Sequence, residues 1–172
     1  ELQKVDNSLS PFNKTSIISR INRNEKVKVD EMFSEVFQLA EKISGDTDGA
    51  FDITVAPMVN AWGFGFKTGN PPTRQTIDSL RAIVGFHTVS LQDGYVIKKN
   101  PKTMLDCSAI AKGYGTDVVA RFLKKKGVQN FMVEIGGEIV VNGNSEKLQP
   151  WRIGINKPTD DSLNTNQAIQ DV

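Results

Sequence analysis

The stretch from Asp106 to Asp117 constrains the fold of this chain more than any other part of its 172 residues. Residues 103–105 before it have the pattern of a strand end, and apolar side chains after it recur with helical spacing. Where a strand enters a helix through small residues, free N–H groups converge and the macrodipole favours negative charge. The sequence therefore predicts an anion-binding turn, with the Asp106 carboxylate beside it to accept polar hydrogens or approach a cation.

The order of the predicted elements favours an α+β fold, because helices and antiparallel strands are mixed without regular βαβ units. Helical patterns occur in the first nine residues, at 16–22, after the N-cap Asp30, from Thr73 or Thr76 to Ile83, and from about Ala111 to Lys126, where Gly127 is a natural end. Strand patterns occur at 50–57, 87–91, 95–99, 131–143 and 151–156, and residues 159–172 are polar with an incipient helix. We expect a mixed, mostly antiparallel sheet with packed helices.

Composition and charge argue against several functions. With 21 basic and 20 acidic residues, nothing predicts a surface for nucleic acid or for an anionic membrane. The lysine run 124–126 lies at a predicted helix end, where it can satisfy terminal carbonyls. No apolar run reaches membrane-spanning length, and no signal peptide begins the sequence.

The single cysteine, Cys107, rules out an internal disulfide bond. It lies between Asp106 and Ser108, so one interpretation is a catalytic thiol with His87 as its base. His87 falls in a predicted strand, far from Cys107 along the chain. The favoured interpretation is a small buried cysteine that packs behind the site.

Three other segments present aromatic or acidic side chains that could line a ligand site. Phe12 follows Ser10-Pro and is either a stacking platform or a lid on the core. Asp52 could approach a ligand, but taken alone it is better interpreted as an edge-strand aspartate on the solvated face. The aromatic and glycine run 62–66 could stack on a planar heterocycle, although Trp62 itself is better interpreted as a hydrophobic plug.

Two further patterns leave alternatives open. Gly136 and Gly137 mark either a bulge that turns the sheet or a close approach of a ligand phosphate or sugar to the backbone. Ser108 and Lys112 are four residues apart like a Ser–Lys nucleophile pair, but Lys112 is better interpreted as a donor to a ligand phosphate or carbonyl. The sequence has no His/Cys metal set, whereas a hard cation such as Mg²⁺ could be held by carboxylate and backbone oxygens.

Five blocks of sequence carry a resemblance to a known family. They are Asp6-Asn-Ser-Leu-Ser-Pro-Phe with Ile18-Ser-Arg-Ile-Asn-Arg, Gly49-Ala-Phe-Asp-Ile-Thr-Val-Ala-Pro with Val59-Asn-Ala-Trp-Gly-Phe-Gly, Asp106-Cys-Ser-Ala-Ile-Ala-Lys-Gly-Tyr, Val133-Glu-Ile-Gly-Gly-Glu, and Pro150-Trp-Arg-Ile-Gly-Ile-Asn-Lys-Pro. In this order they resemble the ApbE-type FAD:protein FMN transferases over almost the whole chain. The second and third blocks are the most specific.

The resemblance implies an ApbE-like, T-fold-like α+β domain that binds FAD. With Mg²⁺, such an enzyme transfers the FMN moiety to a Thr or Ser hydroxyl of an acceptor flavoprotein and releases AMP. The implied FAD contacts are Phe12, Ala50, Phe51, Asp52, Asp106 and Lys112, and the Ala109 carbonyl is the implied metal ligand. No catalytic base is assigned, and hydrolysis of FAD to FMN and AMP or flavin binding without turnover are the alternatives.

The sequence departs from the family pattern at its C-terminal end. The family continues with a Ser-Gly-rich segment, a Ser-His-x-Ile-Asp-Pro segment and an Asp-rich segment that supplies metal carboxylates, and residues 1–172 contain none of them. We therefore expect residues 1–172 to be the N-terminal and central part of one domain, truncated at both ends, with an incomplete metal site. Family members usually work as lipoproteins on the outer face of the inner membrane, so the resemblance implies a periplasmic or extracytoplasmic location reached through a native lipid anchor.

Overall fold

The computed structural model describes residues 1–64, 71–156 and 169–170, and within them the chain is a mixture of helices and short antiparallel strand pairs. The helices are α1 (Leu2–Leu9), α2 (Ile17–Asn22), α3 (Glu31–Asp46), α4 (Ala56–Ala61), α5 (Arg74–Arg81) and α6 (Ser108–Lys125), and a 3₁₀ turn covers Phe86–Thr88. The paired strands are β1 (Val89–Gln92) with β2 (Tyr95–Lys98), β3 (Phe131–Ile135) with β4 (Glu138–Asn142), and β5 (Ile155–Asn156) with β6 (Ile169–Gln170). The predicted α+β class is confirmed.

Helix α3 forms where its cap and its apolar periodicity predict it. The Phe33 N–H donates to Asp30 Oδ1 at 2.8 Å, and the buried Ser8 hydroxyl donates to the same oxygen at 2.8 Å. An N-cap of this kind satisfies one of the backbone donors that the first turn leaves unpaired. The helix buries one face, formed by Phe33, Val36, Phe37 and Ala40. The cap therefore also ties α3 to α1.

The main core gathers side chains from α1, α2, α3 and α6, and it includes Leu105, which is 0 % exposed. Leu105 immediately precedes Asp106, so the predicted site begins where the chain leaves the core. Two hydrogen bonds to the Glu35 carboxylate join α3 to α6 at the edge of this core. The Tyr114 hydroxyl donates to Glu35 Oε2 at 2.7 Å, and Arg121 donates to Glu35 Oε1 at 3.1 Å. A smaller cluster around Phe131 packs α6 against the β3–β4 pair. Both contacts fix the position of α6.

The strand predicted at 50–57 is wrong. The chain turns there, makes a single parallel bridge between Val55 and Met104, and begins α4 at Ala56. Pro57 occupies the first turn of that helix, where its missing N–H costs nothing. The proline therefore helps to start a helix rather than to end a strand.

The predicted hairpin at 87–99 is confirmed, but its first strand starts later than expected. Val89 is the first strand residue, and His87 lies in the preceding 3₁₀ turn rather than in the strand. Asp93 and Gly94 both have positive φ, as a two-residue hairpin turn requires.

Predictions for the later elements are confirmed in part. The predicted helix at 111–126 begins earlier, at Ser108, and Gly127 follows its end with φ of +83°. Of the strand predicted at 151–156, only Ile155–Asn156 is a strand, and it pairs with Ile169–Gln170. The incipient helix predicted at 159–172 is therefore wrong at these two residues, and the rest of that segment lies outside the described residues. Among the helices in the described part of the chain, none has the length and apolar character needed to cross a bilayer.

Candidate ligand-binding site

Two segments that are far apart in the sequence run side by side at the start of α6. The Asp106 N–H donates to the Ile53 carbonyl at 2.7 Å, and Val55 bridges to Met104 in parallel. The second and third of the sequence blocks thus meet in space. The structure confirms that these two runs belong to one region of the molecule.

The Asp106 carboxylate lies just before the N-cap Cys107 and binds the first N–H of α6. The Ser108 N–H donates to Asp106 Oδ1 at 2.8 Å, while the N–H groups of Ile110 and Ala111 donate to the Cys107 carbonyl at 3.0 and 2.8 Å. The prediction that several free N–H groups converge here is wrong for these three donors. Within the described part of the chain, Asp106 Oδ2 accepts no hydrogen bond, so one carboxylate oxygen is available to a ligand or cation.

Asp106 and Phe12 line the same cavity, which has a volume of about 280 Å³. The Phe12 ring is 73 % exposed, so it does not cover the core. Of the two interpretations of Phe12, the geometry favours the stacking platform. The remaining lining residues are Pro11, Asn22, Ala56, Val59, Asn60, Phe64, Met104, Leu105 and Ser108.

The loop that carries Phe12 is held by hydrogen bonds on both sides of the ring. The Ser16 hydroxyl donates to the Ser10 carbonyl at 2.6 Å, and the Ser19 hydroxyl donates to the Pro11 carbonyl at 3.2 Å. The Asn13 amide donates to Asp6 Oδ2 at 2.7 Å and binds the end of the loop to α1. An aromatic ring on a loop fixed in advance loses less conformational freedom when a ligand binds.

Lys112 lines a second, apolar groove of about 390 Å³ between α1 and α6, which shares Phe12 with the first cavity. Its ammonium group is 3.4 Å from the Gly136 carbonyl and 3.6 Å from Glu138 Oε1. Gly136 and Gly137 form the two-residue turn between β3 and β4, with φ of +57° and +92°. Such a turn needs positive φ at both positions, so here the glycines make a hairpin turn and not a bulge. Because Lys112 is largely exposed, this contact is weak and can be exchanged for a ligand.

Ala50, Phe51 and Asp52 line neither of these two cavities. Asp52 Oδ1 accepts the Thr54 N–H and the Thr54 hydroxyl, both at 2.7 Å, and Thr54 Oγ1 accepts the Gly85 N–H at 2.7 Å. Asp52 is therefore part of a side-chain turn that holds Thr54, and it is not an edge-strand residue. Ala50 is exposed, and Phe51 packs against the main core.

Ala109 is the second residue of α6 and is exposed, between Asp106 and Lys112 along the chain. Its carbonyl belongs to the first turn of the helix and retains a second lone pair beyond its helical bond. Throughout the described ranges, no group of three or more His, Cys, Asp or Glu side chains is close enough to hold a metal. Among the described residues that line this cavity, Asp106 supplies the carboxylate, beside the Ser108 hydroxyl and the side-chain amides of Asn22 and Asn60.

Burial decides between the interpretations of Cys107 and of Trp62. Cys107 is 2 % exposed, and burial raises the pKa of its thiol to about 12, with the Asp106 carboxylate acting in the same direction. The thiol is therefore protonated and shielded at neutral pH, as expected of a packing residue. Trp62 is 48 % exposed at the end of α4, so the interpretation as a hydrophobic plug is wrong.

Sequence reasoning missed Asn22, which lines the cavity and binds the backbone of Leu105, 83 residues away. It lies at the C-terminal end of α2, where an asparagine is unremarkable. No periodicity or turn signal connects it to Leu105. A sequence search finds such a residue only through the block Ile18-Ser-Arg-Ile-Asn-Arg that contains it.

Comparison with known proteins now decides the family, because the ApbE family model matches residues 1–172. The chain belongs to the ApbE family. It is 38 % identical to a FAD:protein FMN transferase of Vibrio cholerae serotype O1, over 98 % of this chain and 52 % of that protein. With a FAD:protein FMN transferase of Escherichia coli K12 the identity is 32 %, over 100 % of this chain and 51 % of that protein.

Solved structures of the same family have the same fold. A flavin transferase ApbE from Vibrio cholerae superposes with a TM-score of 0.86 at 40 % identity, over 91 % of this chain and 52 % of that one. The apo form of Pseudomonas stutzeri flavinyl transferase ApbE gives a TM-score of 0.84 at 34 % identity, over 90 % of this chain and 51 % of that one. The chain thus spans about half the length of the relatives that it matches. The ApbE-like fold predicted from the sequence blocks is confirmed.

Proposed function

We propose that the protein to which this chain belongs transfers the FMN moiety of FAD to a Thr or Ser hydroxyl of an acceptor protein, with Mg²⁺, and releases AMP. The observation that carries the proposal is the cavity at the start of α6, where the exposed Phe12 ring and the Asp106 carboxylate meet. Relatives that match 98 % and 100 % of this chain are named FAD:protein FMN transferases, which supports the proposal. Family resemblance also leads us to propose that this protein is periplasmic or extracytoplasmic and is itself anchored to the inner membrane by a lipid.

Charge at the start of α6 supports a role for a cation. A pyrophosphate is anionic, and Asp106 already places a negative charge at this helix end. Two like unit charges 4 Å apart near a protein surface repel by about 4 kcal/mol, so a dinucleotide bound here needs a cation between them. The Asp106 carboxylate and the Ala109 carbonyl are hard oxygen donors of the kind Mg²⁺ prefers, and they would hold it. When bound, Mg²⁺ would offset negative charge on the oxygens of the transferring phosphoryl group and on the leaving AMP oxygen.

The other residues of the chain bind and orient FAD in this proposal. Phe12 stacks on the planar flavin, which an exposed ring on a fixed loop can do at little cost. Lys112 exchanges its weak contact with Gly136 and Glu138 for a phosphate or carbonyl of the ligand. Ala50, Phe51 and Asp52 are proposed as FAD contacts on the family resemblance alone, since the run they belong to joins the site only through the bond from the Asp106 N–H to the Ile53 carbonyl.

The test is a transfer assay with the full-length protein, FAD, Mg²⁺ and an acceptor protein that contains a Thr or Ser site. We expect covalent flavin fluorescence on the acceptor after denaturing electrophoresis, one AMP released per flavin attached, and loss of both when Mg²⁺ is chelated. Free FMN and AMP without labelled acceptor would instead indicate a FAD pyrophosphatase. FAD that stays bound and intact would indicate a flavin-binding module. Replacing the acceptor hydroxyl by alanine is the matched control.

A further inference from the structure

We infer that Asn22 is a positioning residue for the FAD site, which acts by holding the backbone that presents Asp106. The inference rests on the proposed function, because it assigns the effect of Asn22 to FAD binding through Asp106. It does not require that Asn22 touch the ligand.

The Asn22 side chain pairs with Leu105 as a neighbouring strand would. Its Nδ2 donates to the Leu105 carbonyl at 2.9 Å, and its Oδ1 accepts the Leu105 N–H at 2.7 Å. A primary amide has a donor and an acceptor side by side, so it can satisfy both backbone groups of one residue. Leu105 is 0 % exposed, and a buried backbone group that loses its partner costs about 1–3 kcal/mol. The pairing therefore specifies the position of Leu105 strongly.

The segment 104–106 is held from its other side by backbone contacts. The Asp106 N–H donates to the Ile53 carbonyl at 2.7 Å, and Met104 bridges to Val55. The segment thus lies between the Ile53–Val55 run and the Asn22 amide. Without Asn22, only one side would hold the peptide that precedes Asp106.

Lys98 also connects α2 to the chain just before Asp106. Its ammonium group donates to the Ile21 carbonyl at 3.1 Å and to the Thr103 carbonyl at 3.0 Å, so it connects the end of α2 to the same segment. Lys98 and Asp106 are accordingly charged groups close to Asn22. The α2 helix also follows the loop of Phe12, and Phe12, Asn22 and Asp106 line one cavity. Asn22 therefore holds the peptide that presents the Asp106 carboxylate in place beside the Phe12 loop, on the same cavity.

The test compares Asn22→Asp with the wild type in the full-length protein. A carboxylate can accept the Leu105 N–H but repels the Leu105 carbonyl, so we expect the Kd of FAD, measured by flavin fluorescence, to rise about tenfold. The KM for the acceptor protein should stay unchanged. Asn24→Asp is the matched control, because this substitution makes the same change of charge two residues further along the chain. Asn24 is exposed, and its side chain forms no hydrogen bond with the described residues. We expect it to bind FAD like the wild type.

A double-mutant cycle separates positioning from general stability. If Asn22 acts through Asp106, Asn22→Asp should raise the Kd less than about twofold in a protein that already contains Asp106→Ala. A full tenfold loss in that background would overturn the inference, as would an unchanged Kd in the single variant. Should Asn22→Asp fail to fold by circular dichroism, Asn22→Ala removes both hydrogen bonds without adding charge and decides in its place.

Amide hydrogen exchange tests the pairing of Asn22 with Leu105 without any ligand. We expect the Leu105 amide to exchange at least about tenfold faster in the Asn22 variant, and unchanged exchange would overturn the inference. Failure of the proposed function is distinguishable from this result. A wild type that binds FAD without transferring flavin refutes the transfer, while the Kd and exchange comparisons still decide the role of Asn22.

Discussion

The two walls of the candidate site are built in different ways. The wall formed by the Phe12 loop and the segment before α6 is fixed by hydrogen bonds of 2.6–3.2 Å, several of them from side chains to backbone. The wall formed by Lys112 and the β3–β4 turn is joined by an exposed contact of 3.4 Å and an ion pair of 3.6 Å. The first wall is preorganised, and the second can adapt. We expect substitutions in the first wall to affect FAD binding more.

Asp106→Ala should have the largest effect. We expect FAD affinity or turnover to fall at least about tenfold, or about 1.4 kcal/mol, because the carboxylate is lost from the start of α6. Flavin titration and the transfer assay measure it. Asp106→Asn is the matched control for folding, since its amide oxygen can still accept the Ser108 N–H. Unchanged affinity and rate in Asp106→Ala would remove Asp106 from the site.

Phe12→Ala tests the ring of the same wall and should have an intermediate effect. We expect flavin binding to weaken by about 0.5–1.5 kcal/mol if the ring stacks on the flavin. Because the ring is 73 % exposed, the melting temperature should change little. Phe12→Tyr, which keeps an aromatic face, should bind nearly as well as the wild type. An identical flavin spectrum during titration of Phe12→Ala would contradict stacking.

Lys112→Met tests the adaptable wall, which is formed by Lys112 and the β3–β4 turn. The ammonium group makes only exposed contacts, so we expect the free energy of unfolding to change by less than about 0.5 kcal/mol. The Kd of FAD should rise about two- to fivefold, or about 0.4–1 kcal/mol, and the difference should shrink at high salt. Chemical denaturation and titration at two ionic strengths measure both. A loss as large as that of Asp106→Ala would show that the two walls are equally fixed.

The prediction for Cys107 concerns the reactivity of its thiol, and the effect expected in the native protein is the smallest of the four. With its pKa raised to about 12, the thiol should resist alkylation at pH 8 in the folded protein and react readily once the protein is unfolded. The unfolded thiol ionises near its ordinary value of 9.0, so the contribution of Cys107 to stability is present below that pH. It is lost as the pH rises through 9.0 toward about 12. Rapid alkylation of the native protein at pH 8 would refute its burial.

Local signals predicted much of the fold. Asp30 caps α3, Gly127 follows the end of α6, and Asp93-Gly94 turns the first hairpin, each through contacts within a few residues. The strand wrongly predicted at 50–57 has a local cause as well. Pro57 is compatible both with the end of a strand and with the first turn of a helix. Propensity alone does not choose between them.

By itself the sequence determined the α+β class and the family, and it indicated Phe12, Asp106 and Lys112 as candidate ligand contacts, which line two cavities that share Phe12. Caps, turns and family blocks are short-range patterns, so they can be identified without coordinates. Only the tertiary structure decided that the Asn22 side chain pairs with the Leu105 backbone, 83 residues away, and that the Gly85 N–H donates to Thr54 Oγ1, 31 residues away. These bonds depend on which buried backbone groups are left without a partner when the elements pack together.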